Sequence, residues 1–225
     1  MRLHVEALFT HDSDGDLVGV NAPGGLPAPR FFLGRTVDGA VCRFRHDIDP
    51  DLRAELEAVV AGNGVEERVL DAPLDPSPYA AILARRAPVE RTWLGPAFCF
   101  PDILPAASGT TLATEANARI LHSFLAEWVP DVVVCHPMFA LMIDGQAVSV
   151  CGSVRKTSAA HEAGVETAVG FRGQGHASHA VAAWAKAVRA MDRVPLYSTS
   201  WQNEASRALA GKLALVPFGN DLHIT

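Results

Sequence analysis

Apolar residues recur at Ala177, Val181, Trp184, Val188 and Met191. That spacing of four and three residues is one face of an α-helix and predicts a helix over 177–191. A second stripe of Ile120, Leu121, Phe124, Leu125 and Trp128 predicts an amphipathic helix from Thr114 to Trp128, stopped by Pro130. Between the two the period changes. Residues 131–143 and 146–155 are apolar and β-rich and flank Asp144-Gly145, a hairpin signal. A further strand is expected from His161 to Val169, and a turn at 156–160 precedes it. Beyond the second helix the pattern gives a short strand over 196–200, a helix over 203–213 with Ala205, Leu209 and Leu213 inward, and a last strand over 216–224.

The first hundred residues are less regular. A short strand is expected near Leu3–Phe9, then irregular chain rich in Gly and Pro. Residues 30–36 and 40–46 flank Val37-Asp38-Gly39 and predict a hairpin. Asp49-Pro50 opens a helix with Leu52, Leu56, Val59 and Val60 on its apolar face, ended by Gly62-Asn63-Gly64. A short helix over 79–86 and a strand over 95–101 follow. The break over 101–111 divides an N-terminal α/β region, 1–110, from a second domain, 111–225. The order from Thr114 onward is mixed α/β (α+β), with an antiparallel start and one crossover expected to be right-handed.

The chain has 225 residues, net charge −6 and 49% hydrophobic residues, so a large core is expected. An acidic balance without a dense Lys/Arg stripe argues against nucleic acid as partner. No apolar run is long enough to span a bilayer, and no signal peptide is read at the start, so a cytoplasmic protein with no membrane partner is expected. Cys42, Cys99, Cys135 and Cys151 are widely spaced in apolar surroundings and read as buried small side chains. His176 and His179 sit one turn apart but have no third ligand at a fixed spacing. No metal is expected.

The chemistry concentrates at Arg172-Gly173-Gln174-Gly175-His176-Ala177-Ser178, between a strand and a helix. A glycine-rich turn there points backbone N–H groups one way, and the helix adds its unpaired first-turn donors and dipole. That is an anion site suited to phosphate. A Walker loop is absent, since no Gly-Lys-Ser/Thr follows. A dinucleotide fingerprint would need a longer βαβ unit and puts Ser178 where Gly or Ala belongs. A nucleotide-binding module using the same turn is a further alternative.

The turn fits the pattern Gln/Arg-x-x-Gly-x-Gly/Ala. With the strand Glu162–Thr167, the run from Pro195 through Asn203 to Ser206, and Lys212-Leu213-Ala214-Leu215, the sequence resembles the GNAT superfamily of coenzyme A-dependent N-acetyltransferases. The resemblance covers about Ala113 to residue 225. Residues 1–110 look like the extension of some bacterial members, expected to form one wall of an acceptor pocket. The resemblance implies the GNAT acyl-CoA N-acyltransferase fold in the C-terminal half and acetyl-CoA as co-substrate, with a small-molecule primary amine as acceptor.

It also implies site residues. The diphosphate of acetyl-CoA would sit on Arg172, Gly173, Gln174, Gly175, His176 and Ala177, with Ser178 beside it. The pantetheine arm would run along Thr167, Ala168 and Val169, and Asn203 and Ser206 would touch it or the thiol. Glu162 and Glu166, on one face of their strand, are candidate bases for the amine, with His161 a weaker one. The superfamily's frequent tyrosine acid falls at Ala210, which leaves Ser206, Tyr197 or water to serve the departing thiolate. A non-catalytic acyl-CoA-binding or sensor protein is therefore the second reading. Arg155 and Lys156 are solvated turn charges or contacts to the 3′-phosphate. Trp201 packs or walls the acceptor pocket. Monomer and homodimer both remain open.

Overall fold

The computed structural model describes residues 1–62 and 70–225. In chain order the elements are α1 (Arg2–Leu8), β1 (Phe9–His11), β2 (Leu17–Val20), β3 (Phe31–Thr36), β4 (Gly39–Phe44), α2 (Pro50–Gly62), α3 (Ser77–Ala84), β5 (Thr92–Cys99) and β6 (Thr110–Ala113). After two 3-10 segments come β7 (Met138–Ile143), β8 (Gln146–Lys156), β9 (Ala160–Thr167), α4 (His176–Ala190), β10 (Val194–Ser198), α5 (Glu204–Lys212) and β11 (Val216–Ile224). The architecture is mixed α/β. Among the described residues no helix is long and apolar enough to cross a membrane.

The chain forms two compact units. The first holds Met1–Phe98, Ser198–Glu204 and Pro217–Thr225, the second Cys99–Tyr197 and Ala205–Val216. In the first, the strand order is β4-β3-β11-β5. β3 is buried on both faces. Phe31 and Leu33 pack with Leu56, Tyr79 and Leu83 of α2 and α3, while Phe32 packs with Val5, Leu8 and Leu17 on the other side. The Asp38-Gly39 hairpin forms as the pattern predicts, with Thr36 opposite Gly39. Asp49 caps α2, accepting the amides of Asp51 at 3.0 Å and Leu52 at 3.4 Å. Asn63 and Gly64, expected to end that helix, lie outside the described residues.

In the second unit the order is β10-β9-β8-β7-β6. β9 and β10 are parallel and the other pairs antiparallel. α4 buries Val181, Trp184 and Val188, three residues of the predicted stripe. Leu121, Leu125, Val132, Met138 and Val150 make another core cluster.

Four expectations are corrected. The strand expected near Leu3–Phe9 is α1, whose buried residues include His4 with Val5, Ala7 and Leu8. A polar residue on the inward face hid the helical period. The helix expected over 114–128 is two 3-10 segments, Glu115–Leu121 and Ala126–Trp128. Local bonds compete with the longer helix there: Asn117 Oδ1 takes the Thr114 amide at 2.7 Å, and short i→i+3 bonds follow at His122, Trp128 and Val129. The strand expected from Asp131 starts only at Met138, because residues 131–135 turn, with the Cys135 amide on the Asp131 carbonyl at 2.7 Å. β6 forms inside the stretch read as a break, paired with β7.

Candidate functional site

β9 carries the candidate bases, and its pairing sets the site. Against β8 it is paired along its length, Ser149 opposite Thr167 through Lys156 opposite His161, with a bulge between Ser153 and Arg155. Against β10 it is paired only from Ala160 to Glu162, opposite Val194 to Leu196. Among the described residues, that edge of β9 has no strand partner from Ala163 to Thr167, so the two parallel strands part. An extended ligand placed there meets a free strand edge.

Alternation divides β9 into two faces. On one, His161 Nδ1 lies 2.9 Å from Ser153 Oγ, which accepts the Trp184 indole N–H at 2.9 Å. Burial, then the charges of Lys156 and Arg193, holds the His161 pKa down at about 4. The ring is neutral at pH 7, committed to the α4 side. His161, the weaker base candidate, therefore stands on the face opposite the two glutamates.

On the other face are Glu162, Gly164 and Glu166. Glu162 is buried, 1% exposed. The Trp128 indole N–H donates to Glu166 Oε2 at 2.7 Å. A Cβ on Gly164 would press on Val154 and lie 3.2 Å from the Trp128 ring, so the missing side chain is what lets the indole lie over the strand. Trp128, which the sequence reading assigned to a helix face, thus contacts one of the candidate bases. An indole N–H needing a partner at the end of an apolar stripe was the signal for it.

At the end of β9, Ser149 Oγ lies 2.8 Å from Thr167 Oγ1, and the Ala168 amide donates to the Val148 carbonyl at 2.9 Å. Val169–Phe171 is a 3-10 turn, with Val169 exposed. Arg172 folds back, its Nε donating to the Thr167 carbonyl at 3.0 Å. Gly173 and Gly175 have φ of 75° and 85°, left-handed conformations that suit glycine. Gly175 is the N-cap of α4, and among the described residues no side chain hydrogen-bonds to cap the helix start. Ser178 Oγ donates to the Gly175 carbonyl at 2.7 Å and Gln174 Nε2 to the Gly170 carbonyl at 3.3 Å. His176 lies 3.3 Å from Gln174 Oε1.

A Cβ on Gly175 would overlap the Lys212 ammonium, which reaches the turn from the end of α5. Further back on α5, the Ser206 carbonyl accepts the Tyr197 hydroxyl at 3.4 Å. Burial, above all, raises the Tyr197 pKa to about 12. Ala210 is buried. Asn203 belongs to the segment Ser198–Glu204 of the first unit, its amide on the Ser200 carbonyl at 3.0 Å. Cys135 and Cys151 are buried and Cys42 and Cys99 partly so, all four free, with burial pushing the Cys151 thiol well up. Among the described residues no group of three His, Cys, Asp or Glu side chains forms a metal site.

A GNAT acetyltransferase family model matches residues 139–217, from β7 through α5 into β11. An acetyltransferase of the GNAT family from Novosphingobium aromaticivorans is similar in structure, with TM-score 0.50 at 16% identity. The match spans 60% of this chain and 65% of that one, just under two thirds of its length. A GCN5-related N-acetyltransferase-like protein from Streptococcus suis gives 0.48 at 19% identity, over 65% of this chain and 68% of its own. A GNAT-family acetyltransferase from Colwellia psychrerythraea gives 0.47 at 11% identity, over 95% and 82%. No curated protein sequence matches the chain.

Proposed function

We propose that this chain, whose residues 139–217 match a GNAT acetyltransferase family model, transfers an acetyl group from acetyl-CoA to a primary amine of a small molecule. The observation that carries this reading is the parting of β9 from β10 after Glu162 and Leu196, beside a glycine turn that opens α4 without a side-chain cap. The turn suits a diphosphate on two counts. Left-handed glycines leave backbone accessible, and the space where a Cβ of Gly175 would stand is bordered by an ammonium.

The donor supplies an activated acyl carbon. Its diphosphate lies on Arg172 to Ala177, with Ser178 beside it, and its arm runs along Thr167, Ala168 and Val169. Arg172, bonded to the Thr167 carbonyl, steadies that strand end. Ser206 takes the thiol end of the arm. The amine attacks uncharged, so its proton passes to a carboxylate as the C–N bond forms and the C–S bond breaks. Glu162 and Glu166 are the two carboxylates on that face of β9. Glu166 accepts from the Trp128 indole, and either carboxylate can take the proton. A backbone N–H at the strand end stabilises the developing oxyanion. The thiolate leaves without a tyrosine donor at 210 and takes its proton from water, since a thiol of pKa about 8.5 is a good leaving group.

Calorimetry with acetyl-CoA, followed by release of free thiol with a panel of small amines, tests the reading. Binding and amine-dependent thiol release support it. No CoA affinity at millimolar ligand would sink it. Ala210 favours a second reading, a non-catalytic acyl-CoA-binding or sensor protein. That reading predicts affinity without turnover on any amine.

A further inference from the structure

Two stretches of the second unit, 124–128 and 166–171, are tied to each other twice. At one end the Trp128 indole N–H donates to Glu166 Oε2 at 2.7 Å. At the other the Phe124 ring stands edge-on to Phe171, with centroids 5.3 Å apart. Between the ties run Thr167, Ala168 and Val169, the stretch assigned to the donor's arm. The ties differ in character. Glu166 is half-buried, and among the described residues its carboxylate meets no cation; its donor is a neutral indole, which fixes its orientation. Phe124 is 45% exposed and Val169 77%. Single exposed apolar side chains are ordinary on a protein surface. What sets these apart is that they border an oriented carboxylate with no counter-charge. One kind of ligand satisfies both, a cation on an apolar body. Aromatic faces beside the carboxylate add their own attraction for an ammonium.

We infer that the acceptor is a primary amine on an apolar skeleton, aromatic or alkyl. Its ammonium docks on Glu166, and its body lies over Phe124 and Phe171 with Val169 at the margin. This rests on reading the chain as an acetyltransferase, and it names the acceptor class which that reading leaves open. A primary amine carries its proton at neutral pH, so it arrives as the cation that the carboxylate lacks. A polyamine wants a carboxylate for each of its charges, whereas Phe124, Trp128 and Phe171 border Glu166 with rings. A small polar amine pairs with Glu166 but covers neither phenyl ring. Covering ring surface favours the apolar body by about tenfold.

The test measures thiol release from acetyl-CoA by the full chain with four amines: 2-phenylethylamine, hexylamine, ethanolamine and spermidine. Acetyl-CoA affinity is measured separately by calorimetry. Wild type should show kcat/KM at least about tenfold higher for the two apolar amines than for the other two. In Phe124→Ala that preference should collapse towards one, with the change in KM rather than kcat, and Phe124→Leu should keep most of it. Glu166→Gln should raise KM for all four amines by about tenfold, since each loses the same charge partner. A wild type that works best on ethanolamine or spermidine would overturn the inference. So would a preference unchanged in Phe124→Ala, or an equal loss on every amine in that variant, which is the mark of a purely structural ring. Acetyl-CoA binding without release by any of the four amines overturns this inference and leaves the donor site standing. Absence of acetyl-CoA affinity overturns both.

Discussion

His161 shows how one side chain couples the sheet to acidity. Its folded pKa is about 4 against an ordinary 6.5, so the unfolded chain binds the proton first as pH falls. Stability should therefore drop between about pH 6.5 and 4, by up to about 3 kcal/mol, and level off below. Urea unfolding across that range checks it, and His161→Phe should flatten the slope. Asp221 acts in a lower window. Burial alone would raise its carboxyl, but His223 and His4, at 3.2 and 2.7 Å, hold it at about 2. Its contribution is present above pH 3.8 and lost as pH falls through 2. At the site, Gly175→Asp puts a carboxylate where the diphosphate is proposed to lie. CoA affinity should fall at least about a hundredfold with circular dichroism unchanged, since Asp tolerates the left-handed region better than most residues. Glu162→Gln should lower the rate of amine acetylation by about 10²-fold while leaving CoA affinity intact; equal rates would assign the base elsewhere. Gly173 and Gly175 were legible from sequence because only a turn explains that spacing. The contact that commits His161 was not, since Ser153 comes from the neighbouring strand and itself receives the Trp184 indole.

Among elements, legibility followed the purity of the period. α4 and β11 stand close to where the pattern puts them, because Val181, Trp184 and Val188 of α4 and Leu222 and Ile224 of β11 keep their periods and are buried. The parting of β9 and β10 was out of reach. Each strand reads as continuous, and only the register shows pairing ending at Glu162. The segment Thr114–Trp128 failed for a related reason. Its stripe is real, with Leu121 and Leu125 fully buried, but an apolar face can be served by 3-10 turns when Asn117 bonds the backbone locally. Asn117 Nδ2 also donates to the Leu112 carbonyl at 3.0 Å. The turns deliver Trp128 to Glu166. Trp128→Phe keeps the ring and removes the donor, and should cost about 1 kcal/mol in thermal or denaturant unfolding.

At the scale of the whole chain, two units are not two consecutive segments. The first takes in residues 198–204 and 217–225 from the far end. Gly95 records how tightly those returns fit, since a Cβ there would overlap the Thr199 carbonyl and the Trp93 ring. Gly95→Ala should lower stability by about 1–3 kcal/mol in urea unfolding, a loss no repacking of exposed tips relieves. β11 is the more consequential return. It lies between β3 and β5, contributing Leu222 and Ile224, both fully buried, and the Asp221 that binds His4 of the first helix. On the ribosome, then, the N-terminal unit waits. Its first hundred residues emerge early with a vacant central strand position, and two strand edges stay open until residue 224 has been added. Translation order and folding order run opposite ways here, and the nascent chain is most exposed to chaperones and to aggregation while the other unit is being made.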